Sequence, residues 1–307
     1  METLYITHPA CKLHEMGDWH PECPARLDAI HDQLVASGLL DFLDEAEAPV
    51  AAEADLLRVH TAAHLDYLRS HAPKQGYFPI DADTIMNPHT LEAAAVAAGA
   101  GIAAVDAVLG GSHQTAFCAV RPPGHHARPA QAMGFCFYNN LAVAAAYALD
   151  SHGLSRVAIV DFDVHHGNGT EDMFAGDDRV LMCSFFQNSI FPGTWRRPCP
   201  ENMVNIPVDA YTRGDELRQV VSDLWMPRLR AFSPELVLIS AGFDGHREDD
   251  MGQLGLVEAD FSWITQQVVA LAGQTAGGRV VSFLEGGYAL SALGRSAVAH
   301  IRALASL

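Results

Sequence analysis

Residues Val157–Thr170 read VAIVDFDVHHGNGT. Val157, Ala158, Ile159 and Val160, continued past Asp161 by Phe162, form an apolar, β-prone run that predicts a strand buried on both faces. The chain then places Asp161, Asp163, His165 and His166 close together and leaves through Gly167-Asn168-Gly169. In extended chain, residues i, i+2 and i+4 point to one side. Asp161, Asp163 and His165 are therefore expected to crowd the carboxyl end of this strand. Two carboxylates and an imidazole that close repel and desolvate one another unless a cation or a shared proton lies among them. A bound metal is the simplest resolution. The plainer alternative is that these side chains only satisfy loop backbone, and three further runs of the same kind weigh for the metal.

Outward from that stretch, Thr115–Arg121 (TAFCAVR) predicts a strand leading into Pro122-Pro123-Gly124-His125-His126. Leu236–Ala241 (LVLISA) predicts a buried strand delivering Gly242-Phe243-Asp244, and Arg279–Leu284 (RVVSFL) one delivering Glu285-Gly286-Gly287-Tyr288. Leu4–Ile6, Arg179–Ser184 and Val204–Val208 are further strands. Helical patterns run from Pro24 towards Gly38, over Asp55–Ser70, Thr90–Leu109, Asn139–Leu149 and Asp260–Ala272, and from about 289 to Leu304. Glu216–Phe232 is helical with a kink expected at Pro227. Residues 71–89 read as loop, with DADT (Asp81–Thr84) a small carboxylate cluster. His8, His14 and His20 are expected to be surface or rim-loop histidines.

Strands alternating with amphipathic helices predict an α/β fold, a parallel sheet with helices on both faces, and one domain over residues 1–307. In such sheets ligands bind beyond the carboxyl ends of the strands. His125-His126, the Asp161 to His166 run, Asp244 and Tyr288 all fall at such ends, so they are expected to converge in one crevice.

The 307 residues are 49% apolar, ample for a large core, and carry 37 acidic against 19 basic side chains, a formal charge of −18. That balance argues against nucleic acid as a partner. Six scattered cysteines without a C-x-x-C pair suit a reducing compartment. METLYITHPACKLHE shows neither a basic leader nor an apolar core, so no signal peptide is expected. The Ala-rich runs near 93–109 and 141–149 read as too short, or too interrupted by charge or glycine, to span a bilayer. A soluble, cytoplasmic protein is the expectation.

RPPGHHA (Arg121–Ala127), DFDVHHGNGT (Asp161–Thr170), SAGFD (Ser240–Asp244) and LEGGY (Leu284–Tyr288) together resemble the zinc-dependent histone deacetylase superfamily. Its bacterial members include acetylpolyamine amidohydrolases and class II deacetylase-like amidohydrolases. GDWHPECPARL (Gly17–Leu27) is similar to the family's first loop and helix. The resemblance implies an arginase-like three-layer α/β fold with an eight-stranded, mostly parallel sheet. It implies one Zn2+ on Asp163, His165 and Asp244, with open positions for water and a substrate carbonyl. It makes His125 and His126 the acid/base pair, with Asp161 orienting His125 and Asn168 facing His126, and Tyr288 the oxyanion donor. Phe135 and Phe191 would wall an acyl-chain tunnel, with Gly134 and Gly287 lining it. A structural K+ or Na+ would sit near Asp161, Asp163, His165 and Ser184.

The implied reaction is deacylation of an acyl-lysine peptide or a small acylated amine. Three departures bear on the substrate. Phe186 replaces a histidine common in relatives, and Trp195 stands where glycine is common. Met251 occupies the gatekeeper position, where an acidic residue marks polyamine selectivity, and a methionine cannot pair with a distal ammonium. Asp83 is a candidate rim carboxylate for substrate backbone or amine. The main alternative is an acetylpolyamine amidohydrolase, favoured if a homo-oligomer narrows the mouth. A non-catalytic acyl-ligand-binding protein is a third reading, weakened because the ligands, the histidine pair and Tyr288 are all present. Zinc over iron(II) or cobalt follows from family and ligand type alone.

Overall fold

A computed structural model of the chain describes residues 3–193 and 198–307; Trp195 lies outside them. In chain order the elements are β1 (Thr3–Thr7), α1 (Ala25–Ala36), β2 (Leu43–Glu47), α2 (Glu53–Leu56), α3 (Ala62–His71), β3 (Phe78–Pro79), β4 (Ile85–Met86), α4 (Thr90–Leu109) and β5 (Thr115–Cys118). There follow α5 (Asn140–Ser151), β6 (Val157–Asp161), α6 (Asn168–Phe174), β7 (Val180–Gln187), β8 (Met203–Val208), α7 (Gly214–Val220), α8 (Met226–Phe232), β9 (Leu236–Ala241), α9 (Glu258–Thr275), β10 (Val280–Leu284) and α10 (Leu290–Leu304).

Eight strands form one sheet in the order β2-β1-β5-β10-β9-β6-β7-β8, and every neighbouring pair is parallel. The four strands that end in candidate chemistry (β5, β10, β9 and β6) are the four central ones, side by side. Their ends therefore converge without any loop having to reach across the sheet. All four are buried along their whole length, as strands covered on both faces must be. The two faces can be read from adjacent residues of β10. Ser282 Oγ meets His300 of α10 at 2.8 Å, whereas the Phe283 ring lies against Gly101 of α4 beside Ala144 of α5.

Several local expectations need correction. The acid-rich strand β2 (LDEAE) is missing from the sequence reading because it is a largely exposed edge strand without an apolar run. The helix read over Asp55–Ser70 is two helices, because Thr61 caps α3 by accepting from His64 N at 3.2 Å. The kink near Pro227 takes the form of a π-helical turn over Val221–Trp225 between α7 and α8, which accommodates a residue lacking an amide hydrogen. The Ala-rich run continues unbroken as α4, long and apolar enough to cross a membrane by length and composition, and most of it is buried inside the protein. His14 and His20 are buried rather than on the surface. His14 Nδ1 pairs with Thr90 Oγ1 at 2.9 Å, and His20 Nε2 lies 3.0 Å from the Asp83 carbonyl oxygen.

Candidate active site

β6 ends at Asp161, and there the extended-chain expectation holds only in part. Asp161 turns to the His125 side, while Asp163 and His165, in the loop beyond, meet Asp244 from the end of β9. Ligand atoms of Asp163, His165 and Asp244 all lie within 4.8 Å of one another, and all three residues are buried. His165 Nδ1 is 3.1 Å from Asp163 Oδ1 and 3.2 Å from Asp244 Oδ2. Backbone amides fix both carboxylates: Asp163 accepts from His165 N (2.8 Å) and Gly286 N (2.9 Å), and Asp244 from Val164 N (2.9 Å).

Each of these buried groups lies in the field of the other two. Burial disfavours charge on His165, yet the two aspartates push it up to about 10. Burial and the nearby Asp163 push Asp244 up to about 7. Burial also raises Asp163, but His125 and His165 outweigh it and hold that carboxyl far below the usual range. One imidazole and two carboxylates in a buried trio form the donor set of a catalytic divalent-metal centre. The residues present fit such an ion.

Backbone alone forms the floor under this trio. A Cβ on Gly242 would lie 2.0 Å from Asp163 Oδ2, and one on Gly286 would lie 2.0 Å from Asp244 Oδ2 and 2.7 Å from Asp163 Oδ2. Gly286→Ala is expected to weaken metal binding roughly 10–100-fold by displacing both carboxylates. Elemental analysis after dialysis at limiting metal, beside a circular dichroism spectrum, checks this; wild-type metal content would rule it out.

His125 and His126 follow the cis-proline turn after β5. Their rings lie 4.0 Å apart between centroids. His125 Nδ1 donates to Asp161 Oδ2 at 3.0 Å, and His126 Nδ1 donates to the neutral Asn168 Oδ1 at 2.8 Å. In each ring Nε2 is left as the atom for proton transfer. The partners separate the two imidazoles. Burial works against a charged His125, but Asp163 and Asp161 push it up to about 10. Burial, His125 and His165 push His126 well below its ordinary value, and Asn168 offers no charge to oppose them.

Tyr288 stands after β10, its ring 5.9 Å from Phe135 and 4.9 Å from the guanidinium carbon of Arg26. Burial keeps its hydroxyl protonated, well above the ordinary value, with Arg26 pulling the other way. Phe191 stacks edge-on against His126 at 4.9 Å. The two aromatic residues thus flank the site from the Tyr288 and His126 sides. Gly134 has φ +56°, and a Cβ there would meet His126 Cδ2 at 2.6 Å and Phe191 Cε1 at 2.8 Å. The Gly287 carbonyl accepts from Arg26 Nε at 2.7 Å. Half-buried Met251 donates its amide to Asp249 Oδ1 at 3.0 Å. Asp83 sits next to Thr84, whose Oγ1 accepts from Phe135 N at 3.1 Å, so the DADT cluster borders the Phe135 wall. Ser184 is in register with Asp161, and its hydroxyl donates to Asn205 Oδ1 at 2.8 Å. Phe186 packs on the ring of His166, which turns away from the trio to Glu171.

Three elements of the site escape the sequence reading. Glu285, fully buried, accepts from Gly124 N (2.7 Å) and His125 N (3.1 Å), and burial raises it to about 7. Glu22 lies between two buried arginines, Arg26 and Arg121. Asp249 accepts from the amides of Tyr288 and Ala289. Each lies inside or beside a motif that can be read from the sequence, but each has a partner distant in the chain: His125 for Glu285, Arg121 for Glu22 and Tyr288 for Asp249. The one available signal is an acidic residue directly after a buried, mostly apolar strand, as at Glu285.

Comparison with known proteins places this geometry. The histone deacetylase domain family matches residues 20–304. A histone deacetylase-like amidohydrolase of Pseudomonas aeruginosa is 37% identical, covering 88% of this chain and 72% of its own. A probable deacetylase of Archaeoglobus fulgidus is 36% identical over 94% of this chain and 82% of its own. The human polyamine deacetylase HDAC10 is 37% identical over 92% of this chain but 45% of its own length. The crystal structure of the HDA15 HD domain superposes with a TM-score of 0.92 at 34% identity, covering all of this chain and 89% of the other. The chain, with its arginase/deacetylase fold, belongs to the histone deacetylase family of hydrolases.

Proposed function

We propose that the whole chain is one catalytic domain, a zinc-dependent amidohydrolase that removes acetyl-type acyl groups from acyl-lysine or a related acylated amine. The observation that carries this reading is the placement of two differently partnered imidazoles and a protonated tyrosine around the Asp163, His165 and Asp244 trio. Asp163, His165 and Asp244 would hold the zinc ion, which would supply Lewis-acid polarisation of the water and the acyl carbonyl. His125 and His126 manage the protons: one ring takes the proton lost as the water oxygen bonds the acyl carbon. The pair then returns a proton to the amine nitrogen as the carbon–nitrogen bond breaks. Asp161 sets the tautomer and orientation of His125, and Asn168 those of His126. The Tyr288 hydroxyl donates to the oxyanion, and Phe135 and Phe191 exclude water from the acyl chain. A structural K+ or Na+ near Asp161, Asp163, His165 and Ser184 belongs to the same proposal.

Met251 favours an acyl-lysine or other apolar acyl amide over a polyamine. The likeness to a polyamine deacetylase and the rim carboxylate Asp83 support the second reading, an acetylpolyamine amidohydrolase, to which self-association at the mouth would contribute. Cytoplasmic action is supported by six free cysteines, and the charge of −18 weighs against nucleic acid as a partner.

The test is turnover of an acetyl-lysine peptide, a trifluoroacetyl-lysine peptide and N-acetylputrescine by metal-quantified enzyme. Peptide preference supports the first reading; preference for N-acetylputrescine moves the assignment to the second. Met251→Glu is expected to raise kcat/KM for N-acetylputrescine relative to the peptide about fivefold, from roughly 1 kcal/mol for a partly exposed ion pair. An unchanged ratio would remove Met251 from the selectivity argument.

A further inference from the structure

We propose that Asp249 is a positioning residue that aims the Tyr288 hydroxyl, tying it to the mouth residue Met251. This rests on the hydrolase reading given above. Asp249 is buried, in the loop between β9 and α9. Its Oδ2 accepts from Tyr288 N at 2.6 Å and Ala289 N at 2.8 Å, and its Oδ1 from Met251 N at 3.0 Å. One carboxylate thus spans the gatekeeper segment and the backbone that carries the oxyanion donor.

That backbone needs such an anchor. Gly286 and Gly287 precede Tyr288, and Gly287 sits at φ +118°, a conformation open to glycine, so the two residues bring no side chains of their own to fix the turn. The segment is gripped from both sides. Arg26 donates to the carbonyls of Glu285 (2.5 Å) and Gly287 (2.7 Å), Asp163 takes the Gly286 amide, and Asp249 takes the next two amides. Among the described residues Asp249 is the acceptor for the Tyr288 and Ala289 amides, so its loss frees the direction in which the Tyr288 backbone leaves the glycine pair, and a donor misplaced by an ångström loses most of its value. The plainer role for the same carboxylate is to tie down the amides of Tyr288 and Ala289 just ahead of α10, a negative charge near a helix start whose cap residue, Ala289, has no polar side chain. Capping affects stability, whereas aiming affects turnover through one hydroxyl.

A double-mutant cycle separates them. Asp249→Asn, Asp249→Ala, Tyr288→Phe and the Asp249→Ala/Tyr288→Phe double variant are compared for kcat, KM, bound metal and Tm, using the substrate the wild type prefers. Asp249→Ala is expected to lower kcat about 30-fold with KM little changed, Asp249→Asn less, and metal content to stay at the wild-type level. In the Tyr288→Phe background Asp249→Ala should cost less than about threefold, because there is no hydroxyl left to aim. Fully multiplicative losses, or a loss that tracks metal or Tm in Asp249→Asn as well, would overturn the proposal and leave the hydrolase reading standing. Tyr288→Phe without effect would remove the hydroxyl's role and Asp249's with it, whereas a metal-loaded wild type that turns over no acylated amine would overturn the hydrolase reading itself.

Discussion

The Tyr288→Phe enzyme is expected to hydrolyse its preferred substrate roughly 10²–10³-fold more slowly, as when other oxyanion donors are removed. The loss should fall on kcat, with KM and metal content near wild type, because the hydroxyl strengthens its bond only as charge develops on the acyl oxygen. The ring is wedged between Arg26 and Phe135, and phenylalanine keeps both contacts while removing only the donor. The measurement is steady-state kinetics on metal-quantified protein. A loss below tenfold would mean that Tyr288 is part of the tunnel wall and that stabilisation of the oxyanion comes from elsewhere.

Glu22→Gln should produce the largest fall in stability, about 3–5 kcal/mol, the usual cost of breaking a buried ion pair from one side. Arg121 grips both oxygens of Glu22 at 2.5 and 2.6 Å, and Arg26 reaches Oε1 at 3.0 Å, with all three side chains fully buried. Burial alone would raise the Glu22 carboxyl, but Arg121 and Arg26 hold it down to about 2. The sign follows from the depressed value. The contribution is complete above the ordinary glutamate range, near 4.3, and is lost as pH falls from there through about 2. Glutamine leaves two buried guanidinium groups sharing only carbonyl oxygens. Urea unfolding of Glu22→Gln against wild type and the exposed-site control Glu15→Gln checks this at pH 7. A loss under 1 kcal/mol would show that the carbonyls of Cys11, His14, Glu285 and Gly287 suffice for the arginines.

The sheet is legible in the sequence where the physics is local. β6, β9 and β10 are predominantly apolar runs, and the acidic residues at or just beyond their ends (Asp161, Asp244 and Glu285) mark where the chain reaches the crevice. β2 is not legible, because an edge strand with three acids in five residues looks like loop until β1 pairs with it. The break at Thr61 was hidden because Leu56, Leu57, Val59 and His60 continue a helical spacing up to the cap. In the site, the metal trio, the histidine pair and Tyr288 can be read from short motifs. Glu285 under His125, Glu22 between Arg26 and Arg121, and Asp249 beside Tyr288 cannot: each is defined by at least one partner distant in the chain (His125, Arg121 and Tyr288), which only the assembled sheet brings close.

The backbone floor at Gly242 and Gly286 has a consequence for how this enzyme can diversify. A chemistry-bearing centre whose underside contains no side chains cannot be retuned by point substitution from below, since the smallest change intrudes on a carboxylate. Heritable variation in what is accepted is thus confined to the entrance, to the loops bearing His20 and Asp83, Phe191 and Met251. A directed-evolution library aimed there can explore new acyl donors while the reaction is inherited intact. One aimed at the strand ends samples almost only inactive sequences.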